Sequence, residues 1–176
     1  KKVKEKLGVN IIDISMDEFV AEVEKREYQE GAKAGIKNDY DPTMLDEALC
    51  VYGALKRIVD KYKLTGLTVR CYDLIKRLKV SPCLAFAMLN RDGIVSACEG
   101  DIPAMLSMAI INAGASRPGF MANPSRIDVE KGEIVLSHCT VPLNMVKGYI
   151  YDSHFETGLS IAVKGNIPTG PVTVFK

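Results

Sequence analysis

The sequence predicts an α+β chain: an α/β region over residues 1–115, then a β-rich, barrel-like and incomplete region over residues 116–176. Three observations carry this reading. Leu45, Ala48, Leu49, Tyr52, Leu55, Ile58 and Tyr62 recur at helical spacing and form one apolar stripe. Between residues 67 and 113, two β-rich runs each lead into apolar helical segments, the alternation of an α/β layer. After Pro118 the helical period stops, and short runs separated by Gly take over. A chain of 176 residues can bury a real core, in one domain or one and a half.

The elements follow in order. Val9–Ile14 is a short β-rich run. Ser15-Met-Asp-Glu18 is a capping box, and Met16, Phe19, Val20 and Val23 share a face, so a helix runs to about Lys25. The polar stretch from Glu24 to Asp39 carries no clear signal. Asp41 as N-cap and Pro42 at the first helical position open the long apolar helix, and Gly66 closes that unit. Leu67–Tyr72 reads as a strand, Leu74–Leu78 and Pro82–Leu89 as helical pieces, and Gly93–Cys98 as a second strand. Glu99-Gly100-Asp101 is a turn, and a helix from Ile102 to Ala113 ends at Gly114. Strands are then expected at Gly119–Ala122, Ser125–Val129, Glu133–His138, Gly148–Tyr151, Gly158–Lys164 and Pro171–Phe175, with Lys131-Gly132 as a hairpin tip.

Composition excludes several function classes. Lys and Arg number 23 against 22 Asp and Glu, a net charge of +1, which lacks the basic face a phosphate-held nucleic-acid binder needs. With 47% hydrophobic and 26% charged residues the chain is not disordered. The longest apolar stretch, Ile102–Ile111, is broken by Pro103 and Ser107, far short of the roughly 20 residues that span a bilayer. No apolar segment of signal-peptide length follows Lys1. Cys50, Cys71, Cys83, Cys98 and Cys139 are odd in number, widely spread and contain no CxxC pair. They read as reduced thiols of a cytoplasmic protein, with neither a disulfide framework nor a zinc site. The first Met is Met16, and Val172–Lys176 reads as a strand that stops at an open edge, so a piece of a longer protein is expected.

Four places could carry chemistry. Glu99 and Asp101 flank Gly100 where a strand gives way to a helix, the position at which open α/β sheets bind ligands. Asp101 alone also suits the N-cap of the helix that follows. Glu99 at the end of a buried strand is costly unless it is paired or holds a cation. Asn123 precedes Pro124, which pushes it to an extended conformation; Asn-Pro is also an ordinary turn. His138 closes an apolar run as a ligand, a partner for a sugar hydroxyl, or a satisfied interior histidine. Cys139 beside it points to the opposite face of a strand, which disfavours a direct Cys–His pair. His154 and Glu156 share one face of an extended run and suit a polar surface pair. A thiol enzyme built on Cys98 or Cys139 has little support, and GxGxxG, GxxxxGK[ST], GxSxG and HExxH are all missing.

In combination these pieces resemble the L-fucose isomerase and L-arabinose isomerase superfamily, in its fucose isomerase-like branch. The resemblance rests on Ala97-Cys-Glu-Gly-Asp-Ile-Pro-Ala104, Gly119-Phe-Met-Ala-Asn-Pro124, Leu136-Ser-His-Cys139, Ser153-His-Phe-Glu-Thr-Gly158 and Pro168-Thr-Gly-Pro-Val-Thr173. It is most specific over residues 67–176. It implies that residues 1–115 correspond to the family's middle domain and 116–176 to the start of its C-terminal domain. It further implies aldose–ketose isomerisation through an ene-diol, with a divalent cation, commonly Mn²⁺, polarising the sugar carbonyl. Glu99 matches the family's metal-binding, proton-transferring glutamate, and His138 is the substrate-binding candidate. The second family carboxylate falls at Asn123, 24 residues after Glu99, where this chain has a neutral amide. A further metal-binding His lies in a later segment of the family that this chain lacks, so no tight Mn²⁺ binding is expected of the chain alone. The resemblance also implies a homo-oligomer with a small-molecule sugar as partner, and neither nucleic acid nor membrane. The alternative is a catalytically silent relative that binds a sugar or a partner.

Overall fold

The apolar stripe read from the sequence becomes the helix around which the rest packs. In the computed structural model, which describes residues 2–175, a short helix α1 (Lys2–Leu7) precedes α2 (Met16–Glu24) and the long α3 (Pro42–Tyr62). Asp41 caps α3 by accepting hydrogen bonds from the Thr43 and Met44 amides at 2.9 and 3.0 Å. Ser15 Oγ accepts from the Glu18 amide at 3.1 Å, half of the expected capping box. The Glu18 carboxylate does not turn back to Ser15. It accepts from Lys61 Nζ at 2.9 Å and Tyr62 Oη at 2.8 Å, tying α2 to the last turn of α3. Arg57 of α3 donates to Glu22 Oε2 at 2.7 Å and to the Glu22 and Glu27 carbonyls at 2.6 and 2.7 Å, so a cation satisfies the orphan end of α2.

Next come β1 (Gly66–Thr68), α4 (Cys71–Leu78), α5 (Cys83–Arg91), β2 (Val95–Ala97) and α6 (Ile102–Ala115). Strands β1 and β2 pair in parallel, with Leu67 opposite Ser96. Every residue of α5 from Cys83 to Asn90 is buried, so this helix is the floor of the core. Four details differ from the sequence reading. Cys71 and Tyr72 open α4 instead of ending β1, because Cys71, Leu74 and Ile75 bury one face at helical spacing. Gly114 lies inside α6, which ends at Ser116 in the left-handed region. Gly66 begins β1; Lys63, with φ 52°, ends α3. Residues 9–14 form no strand: Ile11 and Ile12 are exposed and no strand lies beside them.

The β-rich stretch holds β3 (Asn123–Asp128), β4 (Glu133–Ser137), β5 (Tyr149–Asp152) and β6 (Ala162–Gly165). Pairs β3–β4 and β5–β6 are separate antiparallel sheets, so the described residues form an α+β structure with no closed barrel. Gly132, at φ 64°, sits at the tip of the first hairpin as expected. The stretches 119–122 and 171–175 are not strands, since neither finds a pairing partner. A single parallel bridge, Thr140 to Val163, fastens the segment after β4 to β6. The main apolar core runs from Phe19 to Val163, and Cys83, Cys139 and Ala162 form a small second cluster. No helix among the described residues is long and apolar enough to cross a membrane.

Candidate active site

The site begins with how β2 is held. Among the described residues its outer edge has no neighbouring strand, and Asn90, 4% exposed at the end of α5, takes that place. Asn90 Oδ1 accepts from the Ser96 amide at 2.9 Å, while Nδ2 donates to the Ser96 carbonyl at 2.8 Å and the Phe86 carbonyl at 3.0 Å. One side chain thus supplies both hydrogen bonds of a missing strand residue. The chain then leaves β2 through Cys98 and turns at Glu99 and Gly100, with φ 63° and 70°. Left-handed backbone costs a non-Gly residue roughly 1–2 kcal/mol. Three hydrogen bonds hold it: Gly100 N to Val69 O at 2.9 Å, Asp101 N to Cys98 O at 3.1 Å, and Thr68 Oγ1 to Cys98 O at 3.1 Å. Gly100 cannot carry a side chain without meeting Arg70 Cγ at 3.0 Å. Asp101 caps α6, accepting from the Ala104 amide at 2.8 Å, and takes no further part.

Glu99 therefore stands just beyond the carboxyl end of the parallel pair, with its side chain 41% exposed. The hairpin delivers the other two residues. Its register sets Asn123 opposite Ser137, so His138 follows directly beside Asn123. Asn123 Nδ2 donates to Glu99 Oε1 at 3.4 Å, and His138 Nε2 lies 3.8 Å from the same oxygen. The His138 side chain is only 5% exposed. Burial lowers its pKa, partly opposed by the Glu99 charge, so its imidazole is neutral at neutral pH. Thr140 Oγ1, 2.9 Å from Nδ1, fixes the ring. Cys139 Sγ reaches within 3.8 Å of the same Nδ1, closer than opposite strand faces would allow, because β4 has already ended at Ser137.

Cysteines lie behind this group. The Cys71 thiol, at the first position of α4, is lowered to about 7 by the Cys98 sulfhydryl and, after burial has opposed it, by the Glu99 amide. The Cys98 thiol is pushed up by Cys71 and by burial. His154 does not form the expected surface pair with Glu156: it is buried, while Glu156 faces solvent. A cleft of about 160 Å³ between Val23, Glu47 and Leu78 lies away from Glu99. The structure brings together Glu99, Asn123 and His138, the three residues the sequence singled out, and adds Asn90, whose only signal in the sequence was one amide at the end of an apolar helix.

The arrangement gathers a half-exposed carboxylate, a primary amide and a neutral imidazole around one oxygen at a strand end. That set can accept a proton, orient hydroxyl groups and offer oxygen and nitrogen donors to a hard cation. No family model matches the chain. It is similar to curated proteins named sulfoquinovose isomerase: 26% identical over 172 residues to that of Priestia aryabhattai, covering 94% of this chain and 37% of the relative. The protein of that name from Alkalicoccus urumqiensis is 26% identical over 170 residues, covering 93% and 37%. That from Clostridium sp. (strain MSTE9) is 28% identical over 152 residues, covering 85% and 32%. The chain thus spans about a third of the length of these relatives. No solved structure matches it.

Proposed function

We propose that this chain carries the proton-transferring part of a metal-dependent aldose–ketose isomerase. The observation behind this reading is the meeting of Glu99, Asn123 and His138 at the end of β2, brought together from three distant segments. The relatives' names support a sugar as substrate, and a sulfonated aldose is the first to test. Glu99 takes the proton from the carbon beside the sugar carbonyl. The electron pair left behind forms the carbon–carbon double bond of an ene-diol as the carbonyl oxygen takes up the proton that the neighbouring hydroxyl gives up, and Glu99 returns the carbon-bound proton to the former carbonyl carbon. His138, neutral and locked by Thr140, accepts or donates a hydrogen bond at a sugar hydroxyl. Asn123 positions the carboxylate through its amide.

The donor set fits a hard divalent cation in kind. Glu99 supplies a charged oxygen, and Asn123 a neutral one once its amide turns over. When bound, such an ion, Mn²⁺ above all, would polarise the sugar carbonyl. One carboxylate compensates only half of its charge, so the chain by itself binds Mn²⁺ weakly, and Asn123→Asp tightens that binding.

The test is Glu99→Gln in the whole protein, read by NMR as exchange of the transferred sugar proton with deuterium. Loss of turnover by about 100-fold or more is expected, the usual worth of a positioned proton-transfer group. Unchanged turnover overturns the proposal. The neutral amide at Asn123 also favours a second reading, a silent sugar-binding relative. Calorimetric sugar binding with no proton exchange in the whole protein would select it.

A further inference from the structure

Cys83, Cys139 and His154 come from three separate parts of the chain: the first turn of α5, the segment after β4, and the turn after β5. All three are buried, at 0%, 6% and 4% exposure. Their sulfur and ring-nitrogen atoms lie within 4.8 Å of one another, and the two sulfurs are 3.1 Å apart. The His154 ring is fixed by Thr157 Oγ1, 3.0 Å from Nδ1, and by stacking on Phe155. Its backbone carbonyl accepts from the Thr157 and Gly158 amides, so the turn itself is closed around the residue. No disulfide joins the thiols.

We propose that Cys83, Cys139 and His154 form a second metal site, a Cys₂His site for Zn²⁺, which adjoins the Glu99 group through Cys139 and His138 but shares no residue with it. The donor chemistry selects the ion. Two sulfurs and an imidazole suit zinc, whereas the oxygen donors at Glu99 suit Mn²⁺. Charge explains why such a site can be buried. Zn²⁺ replaces the two thiol protons, which leave to solvent, and two thiolates with one Zn²⁺ carry no net charge into the apolar core. Without metal, both Cys139 and burial hold the Cys83 thiol well above its ordinary range. The sulfurs need to open from 3.1 Å to about 3.8 Å to share an ion at roughly 2.3 Å from each. Thr157 then acts as the outer partner that orients the ligating ring. Spacings of 56 and 15 residues leave this group without a local sequence signature.

The experiment titrates the reduced chain with Co²⁺ as a spectroscopic stand-in and then displaces it with Zn²⁺. Thiolate-to-cobalt charge-transfer bands at one ion per chain are expected. Cys83→Ser and Cys139→Ser should abolish them, His154→Gln should shift the visible bands, and Glu99→Gln should leave them unchanged. Thr157→Val disturbs no sulfur and guards against loss of folding in the cysteine variants. It should weaken binding about tenfold. Absence of charge-transfer bands from the folded, reduced chain, or bands that survive in Cys83→Ser, would overturn the site.

Discussion

Asn90 shows how much one residue can decide. Its amide stands in for a strand along β2, and β2 aims Glu99. Asn90→Ala leaves the Ser96 amide and carbonyl buried without partners. Each orphaned group costs about 1–3 kcal/mol, so a loss of about 2–4 kcal/mol is expected in urea unfolding. Asn90→Asp should cost at least as much as Ala, since it sets a buried carboxylate against the Ser96 and Phe86 carbonyl oxygens. Equal stability of Asn90→Ala and the parent chain would show that β2 does not depend on this surrogate edge. Glu99 was visible in the sequence because a carboxylate between a strand and a helix is hard to place otherwise. Asn90 was not, because its partners are backbone groups whose positions no residue type announces.

Helix α3 brings two opposing terms together. Gly53 lies in its interior, where Ala would normally add about 1 kcal/mol of helix stability. Here an added Cβ would come within 2.2 Å of the Glu27 carbonyl oxygen and 2.9 Å of the Tyr28 backbone. Backbone cannot swing aside as a side chain can, so the clash wins, and Gly53→Ala should destabilise by about 1–3 kcal/mol in thermal or urea melts. A second expectation concerns the contact of α2 with α3. Hydrogen bonds from Lys61 and Tyr62 hold the Glu18 carboxyl below its usual value, and those from Arg57 and Lys25 do the same for Glu22. A carboxylate with a depressed folded pKa adds stability that is present above the unfolded value of 4.5 and is lost as pH falls through the folded value. The urea midpoint should therefore fall as pH drops below about 4.5, and less steeply in Arg57→Met. A midpoint that drops equally in both proteins would assign acid sensitivity elsewhere.

Across the whole molecule, burial is uneven. Helix α5 is enclosed by α3, β2 and β6, and Phe86 within it has no exposed surface. The β3–β4 hairpin instead projects, with Ile127 at 65% and its cross-strand partner Ile134 at 54% exposure. Phe86→Ala should cost about 3–5 kcal/mol, while Ile127→Thr should stay within about 0.5 kcal/mol. Paired melts of the two variants check this, and a large loss in Ile127→Thr would mean that the hairpin packs more tightly than its exposure shows.

Features whose causes lie within a few residues were legible in the order of amino acids alone. The Asp41 and Ser15 caps, the Glu99-Gly100-Asp101 turn, the Asp101 cap and the Lys131-Gly132 hairpin tip all follow from a side chain meeting its neighbouring backbone. The helical stripe of α3 was equally plain, because burial on one face repeats at a fixed period. Tertiary structure decided which β-rich runs became strands, since a strand needs a partner and residues 9–14, 119–122 and 171–175 have none. It also decided that Cys71 starts a helix, that His154 is buried, and that Cys83 and Cys139 meet across 56 residues. Hydrogen bonds and contacts between distant segments depend on where the core places the chain, and no local run of residues encodes that distance.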